Sequence, residues 1–109
     1  MKKLSLGQIS DYEIKQLKVF KAVVECGGFS AAAAELNISR PTVSNHIASL
    51  ESRLGMTLCK RGRSGFILSA EGSVVYEQTN LLLDQMDQFR NAINNLGDSP
   101  NGVLRIALS

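Results

Sequence analysis

Apolar residues recur at helical spacing along the first stretch of the chain, which predicts an amphipathic helix. Ser10 to Glu13 have the form of a capping box, and Ile9 is placed to form a hydrophobic staple with Ile14, so the helix is predicted to begin there. Gly27 and Gly28 predict its end after Cys26. The residues expected on its buried side are Ile14, Leu17, Phe20, Val23 and Val24.

A run of alanines predicts a second, short helix from Ala31 to Leu36, because alanine has the highest helix propensity. Ser30 precedes the run and is predicted to cap its N-terminus. Asn37 tolerates the left-handed conformation that ends many helices, so the helix is expected to stop there. Phe29 is expected to lie in the core beside this helix.

A third helix is predicted to begin near Pro41, with Ser39 or Arg40 as its cap. Its apolar face consists of Val43, Ile47, Leu50 and Leu54. The opposite face is small and polar and has no carboxylate, which suits a helix that lies in the major groove of DNA. The alternative is a solvated face that happens to be rich in serine. The residues of this face are Pro41, Ser44, Asn45, Ala48, Ser49 and Ser52.

The short break between the second and third helices is typical of a helix-turn-helix. After Gly55, which is predicted to end the third helix, an apolar strand from Met56 and a second strand at 66–68 flank a turn rich in Gly, Arg and Ser. This order predicts a β-hairpin wing. A basic tip favours contact with phosphate or the minor groove, whereas the alternative is a solvated turn. The basic residues are Lys60, Arg61 and Arg63.

A long helix is predicted from Ala70 to Leu96, roughly 40 Å in length, with Ser69 as its cap. Its apolar positions alternate spacings of four and three without a slip, which is the pattern of a heptad seam. Such a helix has too little of its own domain to pack against, so a partner helix is predicted. Packing back on the first helix is the alternative, and part of the seam can do both. The seam consists of Val75, Thr79, Leu82, Met86, Phe89, Ile93 and Leu96.

Charge is distributed unevenly along a chain whose net charge is only +2. From Leu36 to Ser69 five basic residues outnumber one acidic residue, whereas from Ala70 to Pro100 five acidic residues outnumber one basic residue. This arrangement predicts a localised site for a polyanion. The N-terminus is too polar for a signal peptide and no stretch is apolar enough to span a membrane, so a cytoplasmic location away from membranes is expected.

No constellation of residues predicts catalysis, a metal site or a cofactor. Cys26 and Cys59 lack metal-ligand spacing and are expected to be reduced thiols. Lys60 and Arg61 would favour a thiolate at Cys59, which leaves a redox-sensing role open. His46 is the single histidine, and a packing or backbone contact is expected for it rather than a role as a base.

From Phe20 to Gly72 the sequence resembles the LysR-type transcriptional regulators of bacteria. The resemblance is carried by VVECGGFS, then AAAAELNISRPTVSNHIASLESRLGMTL, then KRGRSGFILSAEG. Two positions depart from the family: Cys59 stands where phenylalanine is usual, and Arg40 stands where glutamine is most frequent. The first departure concerns packing of the wing, and the second concerns the sequence that is recognised.

The resemblance implies that double-stranded DNA is the partner and that the long helix pairs antiparallel with that of a second copy in a homodimer. It also implies that Val103 to Leu108 begin an effector-binding domain whose remainder is absent, so that a small-molecule effector would act only through that domain. A higher oligomer is expected of a full-length protein.

The expected fold is mainly α, a winged helix-turn-helix followed by a long dimerisation helix. The domains are predicted as 1–69 for DNA binding, 70–97 for dimerisation, and 98–109 for a linker with the first strand of the absent domain. The expected function is sequence-specific DNA binding in the regulation of transcription. The alternative is a winged-helix module for protein interaction or dimerisation that lacks DNA affinity.

Base recognition is assigned to residues near the start of the third helix, where arginine suits guanine, asparagine suits adenine, and a proline ring or threonine methyl suits the thymine methyl. These residues are Arg40, Pro41, Thr42, Ser44 and Asn45. Contacts with the phosphate backbone are assigned to Ser30, Ser39, Arg53, Lys60, Arg61 and Arg63. The resemblance supports the helix positions, Ser30 and Arg61, whereas Arg63 rests on charge and position alone.

Overall fold

The computed structural model describes residues 11–62 and 65–98, without the side chains of residues 61, 62 and 98. The elements are α1 (Asp11–Cys26), α2 (Phe29–Leu36), α3 (Arg40–Leu54), β1 (Cys59–Gly62), β2 (Gly65–Leu68) and α4 (Ala70–Asp98). The prediction of a mainly helical winged helix-turn-helix with a long last helix is therefore confirmed. Ile9 and Ser10 at the predicted start of α1, Arg63 of the hairpin, and the stretch 103–108 lie outside the described residues.

The first three helices enclose the core. Phe20 and Val23 of α1 and Val43 of α3 are fully buried, and Phe29 is buried beside them as predicted. The α1 side that faces the core also includes Glu13 and Gln16, which a pattern of apolar residues does not reveal. In contrast, three residues predicted on that side are only half-buried: Ile14, Leu17 and Val24.

Helix α2 begins at Phe29, and its N-cap is Gly28, which supplies no side-chain hydrogen bond. The prediction that Ser30 caps this helix is therefore wrong. The helix starts earlier because the Gly28 carbonyl already accepts a hydrogen bond from the N–H of Ala32 at 3.1 Å. At the other end the prediction for Asn37 is confirmed, since it adopts the left-handed conformation with φ of 59°.

Helix α3 is capped by Ser39, whose Oγ accepts a hydrogen bond from the N–H of Thr42 at 3.2 Å. It ends at Gly55, which is left-handed with φ of 69°, as predicted. The predicted apolar face is buried apart from Leu54, which is half-buried. His46 is also buried, with its ring centroid 5.7 Å from that of Tyr12, so its packing role is confirmed.

The wing is an antiparallel pair in which Cys59 is opposite Leu68 and Gly62 is opposite Gly65. Its first strand begins at Cys59 and not at Met56, which corrects the prediction. Residues 56–58 precede the paired strand, and the N–H groups of Leu58 and Cys59 donate to the Glu51 carboxylate at 2.7 and 3.3 Å. Consequently Lys60 and Arg61 lie within β1, where the sequence had placed them at a basic tip.

Helix α4 is capped by Ser69, whose Oγ accepts a hydrogen bond from the N–H of Gly72 at 2.8 Å, as predicted. The helix extends two residues beyond the predicted end, to Asp98. It contributes to two compact units, one ending at Thr79 and the other beginning at Asn80. In the first unit Thr79 is buried, and Val75 packs against the core.

None of the helices in the described ranges combines the length and apolarity needed to cross a membrane.

Candidate nucleic-acid interface

The N-terminal half of α3 presents the residues predicted for base recognition. Arg40, Pro41, Thr42 and Asn45 are exposed, and Ser44 is half-buried. Their exposure follows from the helical period, because the apolar residues of α3, spaced four, three and four apart, lie on the opposite face toward the core. The predicted residues therefore share one accessible helix surface.

Two of the residues predicted to contact DNA, Ser39 and Thr42, are hydrogen-bonded to each other. Their hydroxyl oxygens are 2.7 Å apart, and either hydroxyl can be the donor. Because Ser39 also accepts the N–H of Thr42, the start of α3 is held in one arrangement. The methyl group of Thr42 remains available for an apolar contact such as a thymine methyl.

Arg40 joins the beginning of α3 to the beginning of α2. Its Nε donates a hydrogen bond to Ser30 Oγ at 3.0 Å. Its Cζ lies 5.9 Å from the centroid of the Phe29 ring, within the range of a cation–π contact. Arg40, predicted to recognise a base, and Ser30, predicted to contact phosphate, are thus hydrogen-bonded to each other.

The first turn of α2 has N–H groups without intrahelical partners, and no side chain caps it. Such N–H groups, together with the helix dipole, attract anions. Beside this turn lies a cleft of about 320 Å³, which extends from α2 past Arg40 to the wing. Residues that line it include Gly28, Ser30, Ala31, Arg40, Gly65 and Phe66.

Glu51 is the acidic residue of α3, and its carboxylate accepts the N–H groups of Leu58 and Cys59. It therefore fixes the path from the recognition helix to the wing. A second cleft, of about 230 Å³, lies between α3 and β1, with Ser44, Ala48 and Lys60 along it. Lys60 is exposed at this cleft, next to the polar face of α3.

Arg53 stands apart from the other predicted contacts, in the last turn of α3. Its Nη1 lies 3.7 Å from Glu13 Oε2, and nearly half of the arginine side chain is exposed. Its charge is thus shared with α1. Arg61 belongs to β1, and Arg63 lies outside the described residues, so the predicted roles of both stay predictions.

Phe29 is a functional candidate that sequence reasoning assigned only to the core. Its ring contacts Arg40 on one side and lies 6.5 Å from the Phe66 ring of β2, measured between centroids. Phe29, Arg40 and Phe66 belong to α2, α3 and β2, so no spacing in the sequence predicts that they are in contact. Phe29 therefore links the start of α3 to the wing.

The second unit carries an exposed apolar face on α4. Leu82, Phe89 and Ile93 are 39%, 69% and 48% exposed, which is unusual for large apolar side chains in a row. A surface depression of about 440 Å³ lies among them and Met86. The described residues therefore leave three positions of the predicted seam exposed and two, Met86 and Leu96, half-buried, whereas Thr79 is buried.

A family model described as bacterial regulatory helix-turn-helix protein, lysR family, matches residues 14–73, more than half of the chain. The chain is 49% identical over 104 residues to the HTH-type transcriptional activator BauR of Pseudomonas aeruginosa. It is 35% identical over 97 residues to the HTH-type transcriptional regulator YtlI of Bacillus subtilis. These matches take in 95% and 89% of this chain but 34% and 31% of the relatives. The chain thus spans about a third of the length of these curated relatives.

Solved structures give the same result. The chain is similar to the BenM DNA-binding domain in a complex with catB site 1 DNA, with a TM-score of 0.76 and 32% identity over 79% of this chain and 96% of that one. It is also similar to the CbnR DNA-binding domain in a DNA complex, with a TM-score of 0.73 and 31% identity over 77% of this chain and 97% of that one.

Proposed function

The chain belongs to the LysR family of bacterial regulatory helix-turn-helix proteins, and we propose that it binds double-stranded DNA sequence-specifically to regulate transcription. The observation that carries this proposal is the exposed, carboxylate-free start of α3, flanked by the uncapped start of α2 and by the basic strand β1. The two solved relatives named above are DNA complexes, which supports the same ligand. The role is binding, not catalysis.

In the proposed complex the start of α3 lies in the major groove and contacts base edges. Arg40 suits the O6 and N7 of a guanine, and the Asn45 amide suits the N6 and N7 of an adenine. Pro41 and the Thr42 methyl provide apolar contacts for a thymine methyl, and the Ser44 hydroxyl accepts or donates a hydrogen bond.

Phosphate contacts position this helix. The N–H groups of Ser30 and Ala31 in the first turn of α2, with the hydroxyl of Ser30, would form one such contact, and Ser39 lies at the start of α3 for another. Lys60 and Arg61 of β1 would supply cations for phosphate, and the sequence assigns the same role to Arg63. Arg53 would contact phosphate while it keeps its ion pair with Glu13.

We further propose that two copies associate through α4. The exposed side chains of Leu82, Phe89 and Ile93, with the half-buried Met86 among them, form a face apolar enough to be covered by the same face of a second copy, with Leu96 at its end. Val75 and Thr79, which the sequence also assigns to this seam, pack within the first unit, as expected if part of the seam packs back on the domain.

The experiment that tests DNA binding is a gel shift with duplex DNA over a series of salt concentrations. We expect the logarithm of the binding constant to fall with the logarithm of salt, by about 0.9 for each phosphate contacted. A chain that dimerises but binds no duplex at low salt would instead be the protein-interaction module.

Replacing Arg40 by glutamine is expected to change the preferred base at one position of each half-site from guanine to adenine. The reason is that arginine pairs with two acceptors of guanine, whereas glutamine pairs with one donor and one acceptor of adenine, each worth about 1–3 kcal/mol of discrimination. Affinities of both proteins for a panel of single-base variants measure this. An even loss across the panel would show that Arg40 contacts phosphate instead.

Replacing Arg61 by alanine is expected to weaken binding to specific and random duplexes alike, because a phosphate contact carries no sequence information. The salt slope should become shallower by about 0.9. Titration of both duplexes at several salt concentrations measures the change. Unchanged affinity for random DNA would contradict the placement of this residue at the backbone.

Replacing Cys59 by alanine is expected to lower the free energy of unfolding by about 1 kcal/mol, because its side chain is buried in the core cluster. DNA affinity should be insensitive to peroxide in both proteins. Urea unfolding and gel shifts with and without peroxide measure these effects. Loss of binding on oxidation of the wild type but not of the variant would make Cys59 a sensor.

A further inference from the structure

We infer that Ser30 is a positioning residue that determines how Arg40 recognises its base, by linking that arginine to a DNA phosphate. This inference rests on the proposed DNA-binding function and goes beyond it. It assigns base specificity partly to a residue of α2, which lies outside the recognition helix. The base in question is the one recognised by Arg40, at the position where glutamine is most frequent in the resembled family.

The contact between Ser30 and Arg40 occupies one particular donor of the guanidinium. Arg40 Nε donates to Ser30 Oγ at 3.0 Å, so the Nη groups are the ones left to meet DNA. A guanidinium in this state presents its two Nη groups, a pair that matches the O6 and N7 of a guanine. If Nε were free, the guanidinium could turn and present a different pair of donors.

The Phe29 ring fixes the guanidinium in a second way. Arg40 Cζ lies 5.9 Å from the ring centroid, and Phe29 is buried, so the ring itself cannot move aside easily. The hydrogen bond restrains one edge of the guanidinium, and the ring limits its displacement. Arg40 is therefore held before DNA arrives, which lowers the entropy lost when a long side chain becomes ordered on binding.

The hydroxyl of Ser30 is still able to make a phosphate contact. A serine hydroxyl has one donor and two acceptor positions, and the contact with Arg40 occupies an acceptor. The donor remains for a phosphate oxygen beside the uncapped first turn of α2. A phosphate bound there would orient the hydroxyl and thereby hold the acceptor toward Arg40, so backbone contact and base preference become coupled.

The test compares Ser30→Ala, Ser30→Thr and wild type on a panel of single-base variants of a site selected by the wild-type chain from random duplex DNA. Alanine removes the hydroxyl but has a high helix propensity, and the helix already contains four alanines, so the fold should persist. Threonine restores the hydroxyl. Ser73→Ala is the matched control, because Ser73 is an exposed serine near the start of α4.

We expect Ser30→Ala to show two effects. Affinity falls evenly for all sites because a phosphate contact is lost, and discrimination at the base contacted by Arg40 also falls, by about tenfold. Threonine should restore that discrimination, and the Ser73 variant should match wild type. When Ser30→Ala is combined with Arg40→Gln, the even loss of affinity should remain. The loss of discrimination at the single base position should disappear.

An even loss with unchanged base preference in Ser30→Ala would overturn the inference and leave DNA binding intact. A position-specific loss that persists in the Arg40→Gln background would overturn it too. If the wild-type chain selects no sequence at all, it is the proposed function that fails. Thermal unfolding of each variant shows whether a loss of binding reflects a loss of fold.

Discussion

Replacing both Met86 and Phe89 by glutamate is expected to make the chain monomeric and to reduce its affinity for a two-half-site duplex by about 10²–10⁴-fold. The carboxylates would stand in the apolar contact between two copies, where an unpaired charge is strongly unfavourable. The loss of affinity follows because linking two binding modules makes the second contact intramolecular, and a monomer gives up that gain.

These substitutions leave the first unit intact, because both residues lie beyond Thr79 and Phe89 is 69% exposed in the single chain. Sedimentation gives the oligomeric state, and titration of duplexes with one and with two half-sites gives the affinities. The matched control is Gln88→Glu with Asn91→Glu, which adds the same charge at exposed positions on the same helix. A wild-type chain that is already monomeric at tens of micromolar would contradict the proposed dimer.

Replacing Gly72 by alanine is expected to lower the free energy of unfolding by about 3 kcal/mol or more, since overpacking against rigid backbone is among the costly substitutions. A Cβ at this position would overlap the carbonyl oxygen of Leu58. That carbonyl cannot withdraw freely, because it accepts hydrogen bonds from the N–H and Oγ of Ser69 at 2.9 and 3.0 Å. The start of α4 and the approach to the wing would therefore be disrupted together.

Gly97→Ala provides the matched control in the same helix. A Cβ at Gly97 meets no atom within 4 Å, so alanine there should leave stability unchanged or raise it by up to about 1 kcal/mol. Urea unfolding at one protein concentration compares both variants with wild type. Equal stability of the two variants would show that α4 does not approach Leu58 as closely as described.

The order of elements was predictable because each is specified by local signals. Ser69 caps α4, Gly55 ends α3, and Asn37 ends α2, as the chemistry of each residue favours. The prediction for Ser30 is wrong because serine is strongly preferred at N-caps, whereas here Ser30 lies in the first turn of α2. Only the conformation of Gly28 and its hydrogen bond with Ala32 decide between the two.

The candidate interface was predictable in its residue types but not in its contacts. Arg40 and the small polar residues after it were recognisable from the helical period and the absence of carboxylates. The contact of Arg40 with Ser30 and Phe29 depends on how α2 and α3 cross, and sequence spacing does not encode that crossing. The sequence shows Glu51 only as one acidic residue in a basic region. Its carboxylate accepts the N–H groups of Leu58 and Cys59 and so fixes the backbone that leads to the wing.

The arginine at position 40 is therefore expected to affect recognition in two ways. The arginine offers a different base contact from glutamine, and it also forms a hydrogen bond and a ring contact with the preceding helix. Specificity in this chain is expected to depend on α2 as well as on α3.

Selection of bound sequences from random duplex DNA by the wild-type chain is the measurement that tests the account most directly. We expect an enriched site with two inverted half-sites, whose centres lie about 10–10.5 base pairs or a multiple of that distance apart, because site symmetry follows the two-fold symmetry of a dimer. Each half-site should contain a guanine whose preference depends on Arg40. Recovery of no enriched sequence, with equal affinity for all duplexes, would contradict it.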